Sequence, residues 1–92
     1  MEIQEGEIRR LLMADDTAHD LKIVTGHLQD AGYKVYLASD GKTAINQAAR
    51  VRPLVILLSI KLNGFNGFKV CRELKKNGNT SAIPVIFLTP PG

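Results

Sequence analysis

The chain has 92 residues, of which 45% are hydrophobic and 23% are charged, and its formal net charge is +3. This length predicts one domain, residues 1–92, with a thin core. The composition is that of an ordinary soluble globular chain, and no apolar stretch approaches the length of a membrane span. Cys71, the single cysteine, excludes an internal disulfide, and the lack of a signal peptide leads us to expect a cytoplasmic protein.

Apolar spacing predicts four strands that alternate with three helices. Residues 1–6 are polar, show no periodicity, and are expected to be a disordered end. The predicted strands cover residues 8–14, 33–37, 54–58 and 84–88, and the predicted helices cover residues 17–31, a stretch between the turn at 39–41 and Pro53, and a stretch from residue 67 or 68 to Asn77. Strands joined by helices form a parallel sheet with right-handed crossovers, so the predicted fold is a doubly wound α/β fold.

The third predicted strand, residues 54–58, is the most apolar part of the chain. It is too short for a typical helix and too apolar for a strand with one solvated face, so we predict a central strand buried on both faces. It ends at Ser59. The glycines and asparagines of residues 63–67 then predict a loop with positive-φ turns.

Polar side chains follow three of these strands. Asp15 and Asp16 come after the first strand, Ser59 after the third, and Thr89 after the fourth. Because the carboxyl ends of parallel strands share one edge of the sheet, where ligands usually bind, we expect these residues to converge there.

The motifs LLMADD, PLVILLSIKLNGFNGFKVCRELKK and IPVIFLT together resemble the receiver domain of two-component response regulators, the family of the chemotaxis receiver. The resemblance covers nearly the whole chain. It implies a flavodoxin-like sheet that is truncated to four strands, in the order 2-1-3-4, and three helices. The family's fifth strand, the lysine of that strand and the last two helices have no counterpart here.

The resemblance also implies roles for individual residues. Asp15 and Asp16 match the acidic pair that helps hold Mg²⁺, and Thr89 matches the switch hydroxyl. Ser59 stands where the family has its phosphoacceptor aspartate, and Asn66 stands where it usually has an acidic residue.

These departures weaken the family's chemistry. A carboxylate is already ionised, whereas a serine hydroxyl needs a base before it can accept a phosphoryl group. With one carboxylate fewer, Mg²⁺ is possible but weakly held by Asp15 and Asp16, or the site is vestigial, and no cofactor is required. The Lys61 ammonium is a possible substitute for the metal charge, against the alternative that it points into solvent.

The sequence therefore predicts a pseudo-receiver signalling module that is not an enzyme and acts through protein–protein contacts, with a histidine kinase or another signalling protein as partner. We also expect a homodimer formed through the Val85–Leu88 edge and the uncovered face of the sheet. Lysines and arginines occur in every segment without a clustered stripe, which argues against nucleic-acid binding. The alternatives are a weakly active, Mg-binding phosphoacceptor that uses Asp15 or Asp16, and a fragment of a larger response regulator.

Overall fold

A computed structural model describes residues 9–15, 18–62 and 65–88. These residues form nine elements of secondary structure. In chain order they are β1 (Arg10–Ala14), α1 (Ala18–Asp30), β2 (Lys34–Ala38), α2 (Gly41–Val51), β3 (Val55–Ser59), β4 (Lys61–Leu62), β5 (Phe65–Asn66), α3 (Gly67–Lys76) and β6 (Val85–Leu88). The four long strands and the three helices lie within one or two residues of their predicted bounds.

The long strands form one parallel sheet in the order β2-β1-β3-β6. Counted over these four strands, this is the predicted order 2-1-3-4, so the prediction of a flavodoxin-like sheet is confirmed. The short strands β4 and β5 pair antiparallel as a small hairpin, with Lys61 opposite Asn66 and Leu62 opposite Phe65. Phe65 and Asn66, which were predicted as part of a loop, thus belong to a short strand, and the positive φ predicted around Asn63 and Gly64 lies outside the described residues.

The principal core lies between one face of the sheet and helices α2 and α3. Leu12, Ile56 and Leu58 point from the sheet into this layer and are fully buried, as are Val70 and Leu74 of α3. The side of α2 that packs on the sheet is made of alanines, which lets this helix approach the strands closely. Val70 and Leu74 are four residues apart, so they lie on one side of α3.

The second face of the sheet is covered less completely. Right-handed crossovers place α1 on this face, opposite α2, and Leu11 and Met13 of β1 are buried there. Val55 and Leu57 of β3 are only partly buried, and Ile86 of β6 is 53% exposed. The prediction that the third strand is buried on both faces is therefore wrong for the second face.

The residue types of the chain predict a possible helix cap in the turn at residues 39–41 and a left-handed cap at Gly32, and the structure confirms both. Asp40 is the N-cap of α2, and its carboxylate accepts a 2.7 Å hydrogen bond from the backbone N–H of Thr43. Gly32, after α1, has φ +94, the left-handed conformation in which a glycine is least strained. The helical spacing predicts that Phe68 points inward, but its side chain is 51% exposed. Its ring packs against Phe87 of β6 at an interplanar angle of 49°, with 4.8 Å between the ring centroids.

The connection from α3 to β6 is held by hydrogen bonds from two side chains. The buried Thr80 hydroxyl donates a 2.6 Å hydrogen bond to the carbonyl oxygen of Leu74, near the end of α3. Lys75 Nζ donates hydrogen bonds to the carbonyl oxygens of Ser81 and Ile83. One carbonyl near the end of α3 and two carbonyls of the connection thus accept hydrogen bonds from side chains.

Candidate functional site

Asp15 and Ser59 lie at the carboxyl edge of the sheet on neighbouring strands. The parallel register pairs Ala14 with Leu58, and Asp15 and Ser59 are the next residue on each strand. The backbone N–H of Asp15 donates a 3.0 Å hydrogen bond to the carbonyl oxygen of Ala38, at the end of β2. The ends of β1, β2 and β3 thus meet at one place, as the alternation of strands and helices predicts.

The other predicted site residues are described only in part. Asp16 and Thr89 lie outside the described residues, although Leu88, just before Thr89, pairs with Ser59. The backbone of Lys61 belongs to β4, but its side chain also lies outside the described part of the structure. The structure therefore brings together Asp15 and Ser59 and leaves the contributions of the other three side chains as predictions.

The start of α3 packs directly on the tip of β3. The N–H of Gly67 donates a 2.6 Å hydrogen bond to the carbonyl oxygen of Ile60. A Cβ at residue 67 would lie 2.2 Å from the carbonyl oxygen of Ser59 and 2.9 Å from Cα of Ile60. Both are backbone atoms, so no side-chain rotation relieves the overlap. Glycine is required here by this close approach.

The sequence predicted Gly67 both as part of a loop with positive-φ turns and as a possible first residue of the third helix. The helix start is confirmed, whereas the positive φ is wrong for Gly67. Gly67 is the first residue of α3, and Asn66 before it has φ −87 and acts as N-cap by accepting a hydrogen bond from the N–H of Phe68. Asn63 and Gly64 lie outside the described residues. The dipeptide Asn66-Gly67, a polar cap followed by the smallest residue, was the available signal for a helix start in close contact with a neighbour.

The acidic groups at this edge have different surroundings. Asp40 caps α2, and the hydrogen bond from the backbone N–H of Thr43 holds the pKa of its carboxyl below the ordinary value, assisted by a 3.1 Å bond from the Thr43 hydroxyl. Its oxygens are therefore engaged in the cap. Asp15 is the described carboxylate that lies beside Ser59.

Asp15 is the described carboxylate at this edge that could contribute to a cation site. The residues that the structure describes contain no group of three or more His, Cys, Asp or Glu side chains able to hold a metal. Mg²⁺ in proteins is commonly held by one or two carboxylates together with a substrate phosphate. Asp15, with Asp16 as the adjacent carboxylate in sequence, would be the protein's share of such a site.

No helix in the described part of the chain is both long and apolar enough to cross a bilayer.

The sequence pattern of the response regulator receiver domain matches residues 11–91. Among curated relatives, the response regulator PleD of Caulobacter vibrioides is 40% identical over 80 residues, which is 87% of this chain and 18% of PleD. The protein PilH of Pseudomonas aeruginosa is 38% identical over 80 residues, covering 87% of this chain and 66% of PilH. This chain therefore spans 18% of the length of PleD and 66% of the length of PilH.

Solved structures of response regulators and receiver domains share the fold of this chain. The receiver domain of the sensor histidine kinase PA1611 of Pseudomonas aeruginosa, which has a magnesium ion coordinated in its active-site cleft, superposes with a TM-score of 0.85 at 29% identity over 89% of this chain and 67% of its own. The chemotaxis response regulator CheY4 of Vibrio cholerae superposes with a TM-score of 0.85 at 28% identity, over 91% of this chain and 70% of its own. By sequence pattern and by topology, this chain belongs to the response regulator receiver domain family.

Proposed function

We propose that this chain is a pseudo-receiver of the two-component or phosphorelay type, a non-enzymatic signalling module that acts through protein–protein contacts and does not accept a phosphoryl group on aspartate. The observation that carries this proposal is Ser59, which ends the inner strand β3 beside Asp15 at the carboxyl edge of the sheet. This is where the family resemblance places the phosphoacceptor.

The chemistry of a hydroxyl supports this reading. A carboxylate is already an anion when it takes a phosphoryl group, and it forms a labile acyl phosphate. A serine hydroxyl must first lose its proton, and it then forms a stable ester. A stable ester does not suit a signal that has to decay. With Ser59 at the tip of β3, recognition by a partner is the activity that the fold retains.

We further propose that the metal site is weak or vestigial. The PA1611 receiver domain carries a magnesium ion in its cleft, and Asp15 and Asp16 are the residues of this chain that would hold such an ion. When bound, Mg²⁺ would neutralise charge on a phosphate. Lys61 would supply positive charge at the same edge if its ammonium folds back toward the two carboxylates. Lys61→Met should then lower stability and raise Mg²⁺ affinity, and no change in either quantity would reject this role.

Intact mass after treatment with a small phosphodonor tests the central proposal. The purified chain is incubated with phosphoramidate and Mg²⁺ beside Ser59→Asp, and PilH serves as a reference receiver for the reaction conditions. The parent chain is expected to gain no adduct of about 80 Da, the mass of one phosphoryl group. An adduct on the parent chain contradicts the proposal.

The stability of such an adduct would identify its site. An acid-stable adduct that disappears in Ser59→Ala indicates phosphorylation of the hydroxyl. A hydroxylamine-sensitive adduct that disappears when Asp15 or Asp16 is replaced by Asn indicates the alternative function, a weakly active phosphoacceptor that uses one of these carboxylates.

We propose a histidine kinase or another signalling protein as the partner, and self-association into a homodimer. Two observations support self-association. β6 is the outermost strand at one side of the described sheet, and Ile86 on it is 53% exposed. An apolar edge strand pairs readily with a second copy.

Light scattering across a concentration series tests the dimer. The parent mass is expected to rise to that of a dimer, and Ile86→Lys is expected to hold the protein as a monomer. Leu37→Lys is the matched control, because Leu37 is 44% exposed on β2, the strand at the other side of the sheet. A parent protein that stays monomeric at high concentration rules the dimer out.

A further inference from the structure

Basic residues gather at the amino edge of the sheet, the edge opposite Asp15 and Ser59. Helices in this fold run antiparallel to the strands, so the ends of α2 and α3 lie beside the starts of the strands. Seven of the chain's twelve lysines and arginines belong to these segments. We call this set the basic edge: Arg9, Arg10, Lys34, Arg50, Arg52, Lys75 and Lys76. These residues are spread along the sequence, and the fold brings them to one edge.

The backbone ties the arginine-bearing segments together. The N–H of Lys34 donates a 2.8 Å hydrogen bond to the carbonyl oxygen of Arg9, and the N–H of Leu54 donates a 2.8 Å bond to the carbonyl oxygen of Arg10. Arg52 lies two residues before Leu54. Neighbouring strands are about 4.8 Å apart, so three strand starts present their cations within a short span.

Several cations of the basic edge are held by groups that do not neutralise them. The Arg9 guanidinium lies 5.6 Å from the centroid of the Tyr33 ring, and Lys34 Nζ lies 5.5 Å from that of Tyr36. Lys75 Nζ is bonded to two backbone carbonyl oxygens. These contacts orient the cations and leave their positive charge in place.

Arg10 carries a buried hydrogen-bond donor at this edge. Its Nε is buried and makes no hydrogen bond to any described residue. A buried donor without an acceptor is destabilising, and an anion that reaches it would remove this cost. Charge at the ends of α2 and α3 also complements the helix dipoles. This does not account for Arg9, which precedes β1, or for Arg10 and Lys34, which begin β1 and β2.

Arg52 occupies a backbone conformation that favours glycine. It is the C-cap of α2, with φ 52 and ψ 64, and its N–H donates to the carbonyl oxygen of Ala48. A side chain in the left-handed region is strained relative to glycine. An arginine in this place lowers backbone stability but keeps a guanidinium at the basic edge. Strained backbone conformations of this kind are often found at binding sites.

We propose that the basic edge binds an acidic segment of a partner protein, with the arginine side chains pairing with aspartate or glutamate carboxylates. Guanidinium groups pair with carboxylates through two parallel hydrogen bonds, which gives such a site its specificity. This surface is separate from the Ser59 site, so the inference holds or fails independently of the proposed function.

A protein segment fits this edge better than a nucleic acid does. The rings of Tyr33 and Tyr36 are already covered by cations, so they are not open platforms for stacking bases. Two carboxylates interrupt the positive charge along the edge. Asp30 ends α1, and Glu73 Oε1 lies 3.5 Å from Lys76 Nζ. A continuous phosphate backbone would meet both carboxylates, whereas a short acidic peptide binds the arginines between them.

Fluorescence anisotropy with a labelled hexaglutamate peptide tests the proposal on the purified chain. The double variant Arg9→Gln/Arg52→Gly removes two charges from the basic edge and relieves the strain at residue 52, so loss of binding is not a consequence of unfolding. Lys42→Gln/Lys69→Gln is the control, since it removes the same charge from two exposed residues at the starts of α2 and α3, near the carboxyl edge. Thermal melts verify that both variants are folded.

The basic-edge variant is expected to bind the peptide about tenfold more weakly, and the control is expected to change the affinity less than about threefold. Equal losses in both variants would overturn the proposal, because they would show attraction by net charge alone. A labelled DNA duplex is titrated in parallel. Tighter binding of the duplex than of the peptide, lost in the basic-edge variant, would also overturn it and identify the edge as a nucleic-acid surface.

Discussion

Replacing Gly67 by alanine tests how closely α3 approaches the tip of β3. The added Cβ would lie 2.2 Å from the carbonyl oxygen of Ser59, whereas ordinary contacts of this kind begin at 3.4 Å. The shortfall of about 1.2 Å has to be met by moving one backbone away from the other, which lengthens the hydrogen bond from Gly67 N–H to Ile60 and loosens Val70 in the core. Overpacking of this kind costs about 1–3 kcal/mol or more, and the higher helix propensity of alanine returns at most about 1 kcal/mol.

We therefore expect Gly67→Ala to lower the free energy of unfolding by about 2 kcal/mol, equivalent to a fall in Tm of roughly 8–16 °C for a domain of this size. Urea denaturation gives the free energy, and thermal melts give the Tm. Gly26→Ala is the matched control because nothing lies within 4 Å of its Cβ in the middle of α1, and it should stabilise the protein by about 0.5–1 kcal/mol. A Gly67→Ala protein within about 0.5 kcal/mol of the parent would refute the close-packing argument.

Three further substitutions test other contacts. Thr80→Val removes the hydroxyl that donates to the buried carbonyl of Leu74 and is expected to cost about 1–3 kcal/mol in urea denaturation, while Thr80→Ser should retain most of the stability. The Asp40 carboxyl has a pKa below the ordinary value of about 3.9 because Thr43 donates hydrogen bonds to it. The ionised carboxyl therefore stabilises the folded protein above about pH 3.9, and this stabilisation is lost as the pH falls through the lowered pKa. Asp40→Asn keeps a cap that does not titrate, so its Tm should fall less steeply in acid than that of the parent; parallel acid limbs would contradict this. Arg52→Gly relieves a left-handed backbone and should raise stability by about 0.5–1 kcal/mol, and a lower Tm would count against strain at this residue.

Much of the fold could be predicted because the decisive signals are local. Alternating apolar runs and helical spacings gave four strands and three helices, and their alternation left a parallel sheet as the consistent arrangement. The caps at Asp40 and Gly32 follow from the residue types that such positions require. The short hairpin of β4 and β5 was missed, although Asn63-Gly64, between its two strands in the sequence, is a recognised hairpin signal.

Burial was harder to predict, because it depends on what covers a residue. Five consecutive apolar residues indicated a strand buried on both faces, yet Val55 and Leu57 are only partly buried. Phe68 was expected to point inward from its spacing with Leu74, but Val70 occupies that side of α3. The apolar sequence of this strand does not indicate whether a second helix covers it.

The candidate site was predictable in position and only partly in structure. Strand ends that share one edge placed Asp15 and Ser59 together, and the parallel register confirms this placement. Glycine is required at residue 67 because of a contact with residues seven and eight positions earlier. No local sequence pattern shows such a contact. The basic edge likewise arises from residues that the fold brings together, so charges that look evenly spread in the sequence become concentrated on the structure.

The contact of Gly67 with Ser59 also has a mechanical consequence. Since no side chain separates the two backbones, rearrangement of a side chain cannot absorb a displacement of one backbone toward the other. The position of the first turn of α3 and the position of the end of β3 are therefore expected to change together.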